Sequence, residues 1–231
     1  MFNLKSELVQ PLFSPAAEVN VVVIKQKESG KILMELEVDS PRGVQLSGAN
    51  LTGADLSGLD FSNAIFKACN LTDTDCRFAI FSNAKFQNCV MKRANFAESD
   101  LRNADLSDAM LNGALFLSIN AEGVKLRHCK ANGADFSGAN LTGADCSFAE
   151  MRGVFGSTNL SKSNLYSVDL TGADLSKADL READMSGAKI ARADFTYAKL
   201  QGSIGTNGKP WGKTLHKQEK RAWWKVWRAA V

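Results

Sequence analysis

Apolar residues recur at every fifth position over most of this 231-residue chain. In the stretch SGANLTGADLSGLDFSNAIF, from Ser47 to Phe66, leucine or phenylalanine stands at 51, 56, 61 and 66. The pattern keeps one phase from Leu46 to Met151 and resumes from Leu160 to Leu200. The residue two places before each apolar position is nearly always small. This period belongs neither to a helix nor to a flat strand.

A five-residue period cannot place its apolar residues on one face of either element. Five helical residues turn through about 500°, so the apolar positions would wind around the helix, and on a strand they would alternate between faces. The pattern works only if the backbone turns a corner in each repeat and every apolar side chain points to a common axis. Four repeats per turn then stack residues twenty apart, which predicts these columns: Phe96, Phe116 and Phe136; Phe61 over Phe81; Phe66 over Phe86.

The repeats read ANLTGADL and ADLSKADLREADM, and they resemble those of the pentapeptide-repeat proteins. The resemblance covers residues 44–204. It implies an all-β fold, a right-handed quadrilateral β-helix, which the repeat count makes about eight coils long. It implies no single function, because members of one fold family differ in what they bind.

The ends of the chain depart from the repeat and define two further segments. Residues 1–43 are predicted to form an N-terminal β-hairpin cap with a turn at KESG, in which Ile32, Met34, Leu36 and Val38 alternate with Leu33, Glu35, Glu37 and Asp39. Residues 205–231 are predicted to form a basic, Trp-rich C-terminal helix or tail. Within the coil the phase slips by one residue near 152–159, which we interpret as a local bulge or kink.

Charge separates the tail from the rest of the chain. Residues 205–231 hold seven Lys or Arg and one acidic residue, whereas residues 44–204 hold sixteen basic and eighteen acidic residues. No stretch is long and apolar enough to suggest a transmembrane helix, and the N-terminus lacks the apolar core of a secretion signal. We therefore expect a cytoplasmic protein.

Candidate chemistry is sparse. The five cysteines form no CxxC pair, and their phase predicts that all five are buried fillers: Cys69, Cys76, Cys89, Cys129 and Cys146. His128 is predicted to point outward, and the recurring aspartates fit turn formation. We expect no catalytic site, no metal and no cofactor.

Several outward positions are apolar where Asp or Asn would be usual. The candidate partner surface comprises Ile80, Val90, Met110 and Leu115. Outward Phe78 and Phe148 add to the apolar exterior. These residues are either scattered surface hydrophobics or a patch that binds a partner.

The tail supplies the second set of candidates. Its aromatic and basic residues are Trp211, Trp223, Trp224, Trp227, Lys220, Arg221, Lys225 and Arg228. Three interpretations remain open: a cap over the last coil, a homodimer contact as in some family members, and docking on an anionic membrane or nucleic acid.

These observations favour a non-enzymatic scaffold that presents a rigid surface to a protein partner of unknown identity. One alternative, a role of the best-known family members, is a DNA-mimic modulator of a type II topoisomerase such as gyrase. A mimic needs a strongly acidic exterior, and the nearly neutral coil argues against it. A second alternative is a membrane-associated or host-interaction effector that uses the tail. DNA binding is not expected.

Overall fold

The computed structural model describes residues 20–211, which form an all-β fold with no helix. Three strands are continuous: β1 at Val22–Gln26, β2 at Ile32–Leu36 and β3 at Ala54–Asp55. The remaining β-structure consists of single bridges, which are parallel and join residues nineteen or twenty apart except for one antiparallel bridge near the end of the coil. The fold is thus a quadrilateral coil preceded by a hairpin.

The bridges line up in four ladders, and each ladder is one side of the coil. We name the sides by their outward bridge residues. Side 1 runs through 45, 65, 85, 105, 125, 145, 164, 184 and 204, and side 2 through 50, 70, 90, 110, 130, 150, 169 and 189. Side 3 runs through 55, 75, 95, 115, 135, 154, 174 and 194, and side 4 through 60, 80, 100, 120, 140, 159, 179 and 199. The second and third residues after each outward bridge residue form a corner, as Thr52 and Gly53 do between sides 2 and 3. We name the corners 1/2, 2/3, 3/4 and 4/1 after the sides that they join.

One repeat shows why the chain turns as it does. The Leu51 N–H donates to the Asn70 carbonyl in the next coil at 2.7 Å, and the Asn70 N–H donates back to Ala49 at 2.9 Å. The Ala54 N–H then donates to the Leu51 carbonyl at 3.0 Å and closes the corner. Gly53 lies in this turn with a φ of 66°. These bonds satisfy backbone groups that would otherwise be buried without partners.

The core fills the axis of the coil, as the five-residue period predicts. Leu51, Phe96 and Leu175 are fully buried or nearly so. The predicted ring columns are confirmed, since the Phe96 and Phe116 centroids lie 5.2 Å apart and the Phe116 and Phe136 centroids 4.7 Å apart. Offset or stacked rings of this kind add to the stabilisation from burial.

The phase slip is a shortened corner. The Gly153 N–H donates to the Met151 carbonyl at 3.0 Å, so a three-residue turn replaces the usual four-residue one. Gly153 thereby takes the inward small position, where an added Cβ would lie 2.3 Å from the Ala134 carbonyl oxygen. Phe155 becomes the next core residue and stacks on Phe136 at 5.1 Å. The ladders continue past the slip because only the corner has lost a residue.

The hairpin extends side 3 at the start of the coil. Strand β1 pairs antiparallel with β2 and with β3, which gives the order β2-β1-β3. Ile24 is fully buried. The expected alternation in β2 is wrong at Ile32, which is 49% exposed. The reason is an irregular register, in which Ile24 pairs with Met34 and Lys25 pairs with Ile32, so Leu33 is an extra residue.

The other end of the coil is partly covered by the residues that follow it. Pro210 pairs antiparallel with Ile204, and the Trp211 N–H donates to the Ser203 carbonyl at 2.8 Å. The Trp211 ring lies 6.1 Å from the Phe195 ring, centroid to centroid. Trp211 therefore packs against the last coil.

Candidate functional surface

The second residue of each full-length corner adopts a left-handed backbone conformation. Gly133, Gly138 and Gly143 hold three successive corners of one turn with φ between 67° and 72°. Glycine adopts this conformation without strain, whereas it costs an L-residue about 1–2 kcal/mol. The corner before these three has His128 at the same position with a φ of 56°, and the corner after them has Phe148 with a φ of 60°. Both belong to corner 1/2, so that corner uses large side chains where its neighbours use glycine.

Three rings follow corner 1/2 over consecutive coils, and we call them the aromatic ridge: His128, Phe148 and Tyr166. The His128 and Phe148 rings stack with centroids 5.1 Å apart and an interplanar angle of 8°. The Phe148 and Tyr166 rings meet edge to face at 5.4 Å. Phe148 is 46% exposed and Tyr166 is 44% exposed. The ridge is therefore ordered by contacts between its rings and still presents much of their surface to solvent.

A shallow cleft of about 420 Å³ lies beside the ridge on side 1. Side 1 contributes Asp145, Asn164 and Asp184 to its lining, and corner 1/2 contributes Phe148 and Tyr166. Corner 4/1 contributes Lys162 and Glu182, and Arg127 and two serines complete it. The cleft thus combines apolar rings with carboxylates.

The recurring aspartates have a structural role in the corners. The Asp174 carboxylate accepts a bond from the Ser176 N–H at 2.9 Å, and Asp55 accepts one from the Ser57 N–H at 3.0 Å. Such bonds from the residue two places on stabilise tight turns. The sequence interpretation of these aspartates as turn residues is confirmed for these positions.

Asp75 joins the hairpin to the coil. Its carboxylate accepts two bonds from the Arg77 guanidinium, at 2.9 and 2.8 Å, and a short one from the Lys27 ammonium. Burial alone would raise the pKa of Asp75, but the bonds from Arg77 and Lys27 outweigh it and hold that pKa well below its usual range. Lys27 lies next to β1, so this ion pair ties the hairpin to the second coil.

The five cysteines are buried and free, as their phase predicts. Burial raises the pKa of the Cys129 thiol to about 12, and it raises the pKa of Cys76 and Cys146 as well. A protonated, buried thiol is a poor nucleophile. All five cysteines belong to the hydrophobic core.

Two family models match the repeats of this coil. "Pentapeptide repeat region" matches residues 59–136. "Pentapeptide repeats (8 copies)" matches residues 122–155, 154–187 and 169–204. The chain belongs to the pentapeptide-repeat family. The resemblance seen in the sequence is therefore confirmed.

Several solved pentapeptide-repeat structures are similar to this chain. HetL, a protein involved in the regulation of heterocyst differentiation in the cyanobacterium Nostoc sp. strain PCC 7120, is 24% identical. The match covers 73% of this chain and 92% of HetL with a TM-score of 0.51, which shows a common fold. QnrB1, a plasmid-mediated fluoroquinolone resistance protein, is 24% identical over 71% of this chain and 90% of its own, with a TM-score of 0.38.

A third solved relative is a pentapeptide-repeat protein from the thylakoid lumen of Arabidopsis thaliana. It is 28% identical over 61% of this chain and 71% of its own, with a TM-score of 0.18. No curated protein matches the chain significantly.

The four predicted surface residues of this pentapeptide-repeat coil lie on three different sides. Val90 and Met110 are bridge partners in adjacent coils of side 2. Leu115 is exposed on side 3, and Ile80 is exposed on side 4. The structure therefore brings Val90 and Met110 together and separates them from the other two, so these residues do not form one continuous patch.

The tail residues divide at Trp211. Trp211 is described and packs against the last coil. The other tail candidates and the predicted C-terminal helix lie outside the described residues: Trp223, Trp224, Trp227, Lys220, Arg221, Lys225 and Arg228. Their roles as cap, dimer contact or membrane segment stay predictions. Within residues 20–211 there is no helix that could cross a membrane, and no group of His, Cys, Asp and Glu side chains there is arranged to hold a metal.

Sequence reasoning identified Phe148 as outward but missed the ridge. Tyr166 follows Phe148 by eighteen residues rather than twenty. One residue of that difference comes from the shortened corner, and the other arises because Tyr166 is the first residue of its corner whereas Phe148 is the second. Counting the register through the slip would have placed both rings on corner 1/2.

Proposed function

We propose that the protein is a non-enzymatic scaffold of about eight right-handed coils that binds a protein partner through its outer surface. The aromatic ridge is the centre of the binding surface. The main observation that supports this proposal is the contrast within one turn of the coil. Gly133, Gly138 and Gly143 hold their corners without strain, while His128 and Phe148 adopt the same conformation at a cost. Non-glycine residues with positive φ recur on all four corners of the coil. Corner 1/2 differs because the rings of its strained residues His128 and Phe148 stack on each other and stay exposed.

The coil provides a stiff support for such a surface. Backbone hydrogen bonds join successive coils at corner 1/2. The His128 N–H donates to the Ser147 carbonyl at 3.1 Å, and the Phe148 N–H donates to the Tyr166 carbonyl at 3.0 Å. A rigid site loses little conformational entropy on binding. Exposed aromatic residues on a rigid backbone are typical centres of protein interfaces.

Site-specific crosslinking tests this function. Phe148 is replaced by p-benzoylphenylalanine in the native host, and Phe78 is replaced in the same way as a control. Phe78 occupies the equivalent corner position with a φ of 59°, but on corner 3/4. We expect a covalent adduct with a discrete protein from position 148, lost when Tyr166→Ser is added, and none from position 78. Adducts from both positions alike, or from neither, would contradict the proposal.

A DNA-mimic modulator of a type II topoisomerase remains the second candidate, because the structure sorts charge by side. Sides 3 and 4 with corner 3/4 hold nine of the acidic residues and three of the basic ones in residues 44–204. An acidic stripe is the feature that a mimic needs. A supercoiling assay with purified gyrase decides it, and no effect at micromolar protein would remove this candidate.

A further inference from the structure

The cleft beside the aromatic ridge has unused hydrogen-bond acceptors. The Asp184 Oδ1 atom accepts bonds from Ser186, from its N–H at 2.9 Å and its hydroxyl at 2.5 Å. Its Oδ2 atom, and both oxygens of Glu182, take part in no hydrogen bond or ion pair with any residue in 20–211. The Arg127 Nε atom lies 3.8 Å from the Asp145 Oδ2 atom, which is too far for a hydrogen bond. Carboxylate oxygens are therefore available beside exposed rings.

The charges of the cleft favour a cationic occupant. Its lining holds three carboxylates, from Asp145, Glu182 and Asp184, and two cationic side chains, from Arg127 and Lys162. Three carboxylates against two cations give the lining a net charge of −1, which disfavours the phosphate groups of a nucleic acid. A cation gains both from the carboxylates and from the negative faces of aromatic rings.

We propose that this cleft binds an arginine side chain of the protein partner, next to the rings of Phe148 and Tyr166 and the carboxylate of Asp184. A guanidinium is planar, stacks on aromatic rings, is weakly hydrated and donates to carboxylates in pairs, whereas a lysine ammonium is a strongly hydrated point charge. The inference rests on the proposed scaffold function, because it names the chemistry that the scaffold recognises in its partner.

Peptide binding to the full chain tests the inference. The probes are a hexa-arginine and a hexa-lysine peptide of equal charge, and the readout is fluorescence anisotropy at near-physiological salt. We expect Phe148→Gly to weaken hexa-arginine binding about fivefold and hexa-lysine binding much less, since the ring favours the guanidinium. Phe78→Gly makes the same change on corner 3/4 and should leave both affinities unchanged.

A second variant tests the carboxylate. Asp184→Asn keeps an oxygen for the two bonds from Ser186 but removes the negative charge. We expect it to weaken the binding of both peptides, and its combination with Phe148→Gly to weaken hexa-arginine binding further. Neither variant removes a buried side chain, so a loss of binding can be separated from unfolding by a thermal melt.

Three results would overturn the inference. The first is hexa-arginine binding that Phe148→Gly leaves unchanged. The second is equal loss of hexa-arginine and hexa-lysine binding in Phe148→Gly. The third is binding of a single-stranded oligothymidylate, lost in Phe148→Gly, in place of the peptides, because bases also stack on exposed rings. Failure of the scaffold function is a separate outcome, since it is measured by the crosslink from position 148 and requires no arginine peptide.

Discussion

Corner 1/2 and the other three corners of the same turn have one backbone conformation and different side chains. Gly133, Gly138 and Gly143 lie on the other corners, whereas Phe148 lies on corner 1/2 with a similar φ. The coil geometry alone therefore does not call for a ring at this position. The difference shows that the inward residues build the coil, whereas the corner residues can vary without a change in backbone conformation.

The largest expected loss of stability comes from a variant in the interior, and we expect no corner variant to lower the free energy of unfolding as much. Phe116 is buried between Phe96 and Phe136 in the ring column. Phe116→Ala should lower the free energy of unfolding by about 3–5 kcal/mol, because it removes apolar burial and leaves a cavity. Urea denaturation of both proteins gives the value. A loss below about 1 kcal/mol would show that the ring column contributes little.

The shortened corner should be the corner least tolerant of a side chain. Gly153→Ala places a Cβ against the Ala134 carbonyl oxygen and should lower the free energy of unfolding by about 3 kcal/mol, because the backbone at Ala134 must move. Gly143→Ala is the matched control, since nothing lies within 4 Å of its Cβ position and only the left-handed conformation is strained. We expect about 1 kcal/mol there. Equal losses in the two variants would contradict our account of the slip.

The hairpin attachment should depend on pH. Asp75→Asn removes the charge that Lys27 and Arg77 contact, and it should cost about 2 kcal/mol at pH 7. The pKa of Asp75 is lowered in the folded protein. Its contribution is therefore fully present above the unfolded pKa of about 4 and is lost as pH falls toward the folded pKa.

Urea denaturation of wild type and Asp75→Asn at pH 7 and at about pH 2.5 measures this dependence. The difference between the two proteins should narrow at the lower pH. A difference that grows on acidification would mean that the ion pair does not stabilise the native state.

The smallest effect tests the cost of rings at corners. Phe78 is 56% exposed, has a φ of 59° and stacks on no ring within residues 20–211. Phe78→Gly should raise the free energy of unfolding by about 0.5–1 kcal/mol, since relief of strain exceeds the entropy lost by glycine. The reverse change on the same corner, Gly138→Phe, should lower it by a similar amount. Thermal melts of both variants would reveal the opposite shifts, and shifts of one sign would refute the strain argument.

The interior could be predicted from the sequence because one period governs it. The apolar residues in phase fill the axis. At residues 119–121 the bulky Ile119 occupies the usual small position and Ala121 the usual large one, and both side chains are buried. Phe155 was missed because it follows Phe136 by nineteen residues and not twenty. Its core position depends on the three-residue turn at Gly153, which no local sequence signal specifies.

The exterior was harder to predict, since no periodic requirement acts on it. Side assignments from a count of twenty correctly pair Val90 with Met110, which precede the slip. The ridge spans the slip, so a count of twenty fails between Phe148 and Tyr166. The irregular register of β2 likewise turned Ile32 outward against its alternation. In each case a single residue in a turn or bulge changed which side chains lie together.

The central claim is that the aromatic ridge serves recognition and does not hold the coil together. The most direct measurement is the free energy of unfolding of the double variant Phe148→Gly/Tyr166→Ser, by urea denaturation. We predict a value within about 1 kcal/mol of wild type, because relief of strain at position 148 offsets the lost ring contacts. A loss of more than about 2 kcal/mol would show that the rings stabilise the fold and would contradict the claim.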